Sequence, residues 1–239
     1  MESFKVIDNI PKYVSTLVPA ILSLSVVYDL GYFGGFGLTF SEVPTTISDH
    51  LRSSLIWLPV AILCVFFVSI IELFTRRVKQ GKSESEIINS APNPKRTAFI
   101  RQSPVYLVTA VTIAIPIASV LGVEIPLAGW QFFSIILWFL FHNFAFGHER
   151  ILNQTPRVVW SMTRWIPAVT LWVLFAGFIS AKQDTDTLDT VQIELSDNTI
   201  EGVVLRAYDK FYLVYNPHNE VVTVLSSGEV KSIESPLKK

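Results

Sequence analysis

The chain has 239 residues, half of them hydrophobic and only 16% charged, where a soluble domain carries about 25% charged residues. Its formal net charge of −1 excludes the broad basic field that a nucleic-acid partner requires. A single cysteine, Cys64, excludes an intramolecular disulfide and a cysteine-built zinc site.

Charges are missing from five blocks and crowded between them, the texture of a multi-span membrane protein. A hydrocarbon core about 30 Å thick needs roughly 20 apolar residues in helical form. A mixed-charge leader (Glu2, Lys5, Asp8, Lys12) precedes the first span, Tyr13 to Leu30. No small-residue cleavage site follows it, so the block reads as a signal anchor. Asp29, at the outer end of this span, is expected in solvent. The glycine–aromatic run from Gly31 to Phe40 is apolar but helix-poor and is expected at the membrane interface. It lacks the spacing of a nucleotide loop. Ser48 and Asp49 read as a start signal for the second helix, with His50 as a turn or cap partner of Asp49.

The second span runs from Leu55 to Thr75 and closes on Arg76-Arg77; Glu72 and Arg76 stand at i,i+4 spacing. Lys82 to Asn89 reads as a short helix, followed by a proline-broken turn through Lys95-Arg96. The third, fourth and fifth spans are Val105–Val123, Leu127–Phe146 and Trp165–Ala181, with Pro116 central enough to kink the third. None of the five has a charge at its centre. Trp57, Trp130 and Trp165 sit near span ends, where indole rings prefer the headgroup level.

Short loops rich in Lys and Arg mark the cytoplasmic side. Lys5, Lys12, Arg76, Arg77, Lys79, Lys82, Lys95, Arg96, Arg101, Arg150, Arg157 and Arg164 fall on one side of a five-span chain, and Arg52 on the other. The expected orientation has the N-terminus cytoplasmic and the C-terminal region outside.

After Lys182 the texture changes. Residues 183–189 are polar, with three aspartates, and read as a linker. Alternating patterns then mark five short strands: Val191 to Leu195, Ile200 to Ala207, Phe211 to Tyr215, Val221 to Leu225 and Val230 to Glu234. The expected architecture is an all-α membrane bundle of about five helices (residues 1–182) plus a small all-β SH3-like or Sm-like barrel (190–239), closed to hide its edges. So small a barrel is marginal alone and needs the membrane part or a second copy of itself.

The glycine–aromatic stretch, the Ser48-Asp49-His50-Leu51 start of the second span and the C-terminal strand pattern together resemble uncharacterised bacterial multi-span inner-membrane proteins with a small C-terminal β domain. The resemblance implies the bacterial cytoplasmic membrane as the location. It brings no activity and no functional residues.

Polar groups at membrane depth face the bundle and mark interhelical bonds or conduction paths. Glu72, His142 and Asn143 are the candidate intramembrane polar residues. His142 and His148 lack metal-pair spacing, and an interhelical hydrogen bond is the simpler role for His142. No catalytic, cofactor-binding or metal signature stands in the chain. The functional expectation is a non-enzymatic membrane protein without cofactor. Its exterior β module would bind a protein partner or self-associate; the alternative is a small oligomeric transporter or channel using the polar residues of spans two and four.

Overall fold

The computed structural model describes residues 3–79, 84–146, 151 and 154–234. Among the described residues are six helices: α1 (Ser3–Gly34), α2 (Ile47–Lys79), α3 (Glu84–Asn89), α4 (Pro94–Val120), α5 (Leu127–Phe146) and α6 (Arg157–Thr187). Five strands follow: β1 (Val191–Leu195), β2 (Thr199–Ala207), β3 (Phe211–Asn216), β4 (Val221–Ser226) and β5 (Val230–Glu234). Four stretches are long and apolar enough to cross a membrane: Leu17–Gly34, Pro94–Val120, Leu127–Phe146 and Val158–Thr187. The remaining expected span, 55–75, lies within the 33-residue α2. The side chains of Cys64, Glu72 and Arg76 in it lie outside the described residues, as does all of His148.

α5 has the bounds of its expected span, whereas α2, α4 and α6 begin well before theirs. Asn93 accepts the Arg96 amide at 3.1 Å and Pro94 takes the first helical position, so α4 starts eleven residues before Val105. Thr46, rather than Ser48 or Asp49, caps α2. Its amide donates to Asp49 Oδ2 at 2.8 Å while its hydroxyl oxygen accepts the Asp49 amide at 3.4 Å, a reciprocal capping box. At the end of α1, Leu38 N–H donates to the Phe33 carbonyl and Gly37 N–H to that of Gly34, with Gly37 at φ 72°. This Schellman turn needs a left-handed residue, which glycine supplies. Residues 183–187 of the expected 183–189 linker form the last turns of α6. Thr185 and Thr187 bond back to the Lys182 and Gln183 carbonyls, and Asp184 is anchored as described below.

The chain divides into two compact units, Met1–Trp57 with Val169–Lys239, and Leu58–Ala168. In the first unit α1 and α6 pack backbone to backbone. A Cβ on Gly31 would fall 2.0 Å from the Leu174 carbonyl oxygen, and one on Gly177 would fall 2.2 Å from that of Tyr28. Bare glycines permit this approach, as in small-residue packing of membrane helices.

The strands form one antiparallel sheet in the order β4-β3-β2-β1-β5. Ile193, Val214 and Leu225 form its core, packed by Val191, Leu195, Ile200, Val204, Tyr212 and Val230. Among the described residues no ladder joins β4 to β5, so the sheet is open where closure was expected. The reason is local. After the turn at Ser227–Glu229, the Glu229 carbonyl accepts the Ser196 amide at 3.1 Å, which captures the chain at the end of β1. β5 then pairs with β1 and leaves the outer edge of β4 unpaired.

Candidate functional site

The first unit holds a buried polar network at the end of α1. Asp29 and His50 are 1% and 8% exposed, which overturns the expectation of a solvated Asp29 and of a simple His50–Asp49 cap. The Schellman turn and the connection after it bring the first turn of α2 back against the last turns of α1. His50 Nδ1 lies 2.5 Å from Asp29 Oδ2, and the other Asp29 oxygen accepts the Ser53 hydroxyl at 2.7 Å. A carboxylate only accepts, so Nδ1 carries the proton. Nε2 of the neutral ring is then left to accept from the Thr45 hydroxyl, 3.1 Å away. Phe40 stacks on the imidazole at 5.6 Å between ring centres. Thr45 is half-buried and stands at the rim. Chemically this is a hydroxyl, a base and an orienting acid in series.

A second arm comes from the sheet. The register of β2 against β3 shifts between Val204 and Arg206, a bulge that re-aims the Arg206 side chain. Its guanidinium lies 4.3 Å over the Tyr32 ring, 3.3 Å from the Tyr28 hydroxyl and 3.4 Å from Asp184 Oδ2 in the last turns of α6. Tyr32 donates to the same Asp184 oxygen at 2.8 Å. Burial works against the Arg206 charge. The phenols of Tyr32 and Tyr28 and the Asp184 carboxylate outweigh it and hold the group above the ordinary arginine value. Burial, with the Asp29 carboxylate next, pushes the Tyr208 phenol up. That ring packs against Phe33 and Phe211, and its hydroxyl is buried without a hydrogen-bond partner.

A third arm is partly exposed. Asp209, after β2, accepts from Ser48 at 2.6 Å and from Arg52 at 3.3 Å, and its amide donates to Asp49 Oδ1 at 3.2 Å. Arg52 also donates to the Ala207 carbonyl at 2.8 Å. The exposed Arg52–Asp209 pair adds at most about 1 kcal/mol and serves as orientation.

The residues singled out from the sequence lie elsewhere. His142, in the second unit, is fully buried; Nε2 meets Thr163 Oγ1 at 3.1 Å, a bond from α5 to α6. Asn143 is exposed beside it, and the Glu72 side chain is outside the described residues. Two signals in the sequence mark single members of the network: an aspartate closing an apolar span, which must find a partner, and an arginine set among buried positions of β2. Comparison of the chain with protein-family models, with curated proteins and with solved structures finds no match.

Proposed function

We propose that the chain is a membrane-anchored binding module: the helices hold and orient the sheet, and a protein partner or a second copy engages it. The observation that carries this reading is the three-armed network, which ties β2 to α1, α2 and α6 through Arg206 and Asp209. A module tethered only for proximity needs no such fixed seat. The open outer edge of β4, with Val221 and Thr223 exposed, offers a strand-addition surface. The meander with β5 returning to β1 suits a strongly bent sheet of the SH3-like or Sm-like kind. In this reading the protein lies in a bacterial cytoplasmic membrane with its N-terminus inside and the sheet outside, supported by the basic residues of the leader and loops. The test is crosslinking in native membranes with the whole chain and with a Val221→Lys/Thr223→Lys variant. Loss of the crosslinked species in the variant is expected. Unchanged species there, and again after deletion of residues 190–239, would sink the binding role.

The Thr45–His50–Asp29 series favours a second reading, an acyl-transfer centre. Thr45 Oγ would attack an ester carbonyl while His50 Nε2 takes its proton. The leaving alcohol would receive that proton, and water, activated by His50, would then release the acyl group. A fluorophosphonate probe should label the wild-type protein and fail with Thr45→Ala. No labelling of the wild type counts against this reading.

A further inference from the structure

A second polar cluster among the described residues lies in Leu58–Ala168 and keeps three buried side-chain atoms unbonded. Trp160 and Arg164 stand one helical turn apart on α6, opposite Trp138, Phe139 and His142 of α5. The Arg164 guanidinium lies 5.1 Å from the Trp160 ring centre and 5.3 Å from that of Phe139. The His142 ring meets Trp160 edge-on at 5.2 Å and stacks on Phe146 at 4.9 Å. Trp138 Nε1 donates to the Arg164 carbonyl at 2.9 Å, which locks the two helices in this register.

Three buried polar atoms in this cluster lack a hydrogen bond: Arg164 Nε, Trp160 Nε1 and His142 Nδ1. The first two can only donate. The Thr163 hydroxyl spends its proton on the Val159 and Trp160 carbonyls, so it accepts from His142 Nε2–H. Nδ1 of the neutral ring is therefore an acceptor. Buried unpaired polar atoms call for a ligand or water, and a cation at membrane depth calls for an anion. Arg164 lies seven residues into α6, about 10 Å of helix rise from its start, near the beginning of the stretch apolar enough to cross a membrane. Phe141, Phe144, Met162 and Ile166 nearby are exposed apolar side chains suited to acyl chains.

We infer that this cluster binds the headgroup of an anionic phospholipid. Arg164 Nε–H and Trp160 Nε1–H hold phosphate oxygens, and His142 Nδ1 accepts a headgroup hydroxyl. Phosphatidylglycerol carries both groups.

The purified full chain is delipidated in neutral detergent and titrated with phosphatidylglycerol or phosphatidylcholine, with bound lipid counted by native mass spectrometry. The wild type should prefer phosphatidylglycerol roughly five- to tenfold, and Arg164→Gln should abolish the preference. Trp160→Phe keeps the ring under the guanidinium and removes only the N–H; it should lose part of the preference. In the wild type, brominated phosphatidylglycerol should quench tryptophan fluorescence more than brominated phosphatidylcholine, and the difference should shrink in Trp160→Phe. Equal retention of the two lipids, or an unchanged preference in both folded variants, overturns the inference. Displacement of the lipid by millimolar inorganic phosphate would reassign the cluster to a soluble anion and also overturn it.

Discussion

Tyr208 tests how the sheet is held against the helix ends. Its ring fills the space between Phe33 and Phe211, while its hydroxyl is buried without a partner. A buried group left unpaired costs about 1–3 kcal/mol, whereas removing it without changing shape costs nothing. Tyr208→Phe is therefore expected to be neutral or to stabilise by about 1 kcal/mol, read as the thermal midpoint in detergent. Marked destabilisation would mean that something binds the hydroxyl. The pH dependence has a definite sign. Because the folded value is raised, the contribution of Tyr208 is complete below the ordinary tyrosine value of about 10. It is lost as pH rises through the folded value. Alkaline exposure should release the sheet to protease at the end of α6, and Tyr208→Phe should lack that component. Neither the cluster nor this defect is legible from residue spacing. Asp29, His50 and Arg206 are separated by 21 and 156 positions, and only the turn after α1 and the bulge in β2 bring them together.

The close seat of α1 on α6 depends on two glycines rather than on large apolar side chains. Side chains drive most packing in water, but lipid offers no such drive, and backbone approach takes its place. Gly177→Leu would put a side chain against the Tyr28 carbonyl and the Tyr32 amide, with backbone on every side. The cost should reach or exceed the upper end of the usual 1–3 kcal/mol for overpacking. It should also unseat Asp184 from Tyr32 and Arg206, two turns further along α6. Gly228→Ala, whose added Cβ would meet only Ser226 Oγ at 3.9 Å, should leave the thermal midpoint unchanged and serves as the control. At this scale much was legible. The five strands lie within a residue of their alternating patterns, since period-two burial and asparagine turns leave little choice. Asn216 and Asn219 accept the amides of His218 and Val221, which explains the turn signal between β3 and β4. The ends of α5 were legible, since they are those of the expected fourth span; the starts of α2, α4 and α6 were not, because helix that begins outside the apolar block carries no hydropathy cost. Closure of the sheet was not legible either, since alternation marks a strand but not the edge it joins, and β5 joins β1.

The network also constrains the path of the whole chain. The last turns of α1, the first turn of α2 and the last turns of α6 meet under one sheet. A chain that leaves this place with α2 and returns to it with α6 crosses a membrane an even number of times between them. Adding α1 makes the total odd. Four stretches among the described residues are long and apolar enough to cross, and an odd total then requires a fifth crossing, which the proposed topology gives to α2. In the proposed orientation, the basic leader and loops keep the start of α1 inside and leave the sheet outside. A periplasm-active phosphatase fused after Leu237 should therefore be active, and a cytosol-active reporter at the same point silent. The two should exchange when fused after Ala91, between α3 and α4. Activity of the cytosolic reporter after Leu237 would require an even count. Since α1 and α6 would then end on opposite faces, it would also break the Tyr32–Asp184 bond on which the seat of the sheet depends. The fusion experiment thus tests the buried network as well as the orientation, and Arg206→Met in the same fusion separates the two. That substitution should loosen the sheet toward protease while leaving the reporter's side unchanged, because topology is set by the loop charges and docking by the guanidinium.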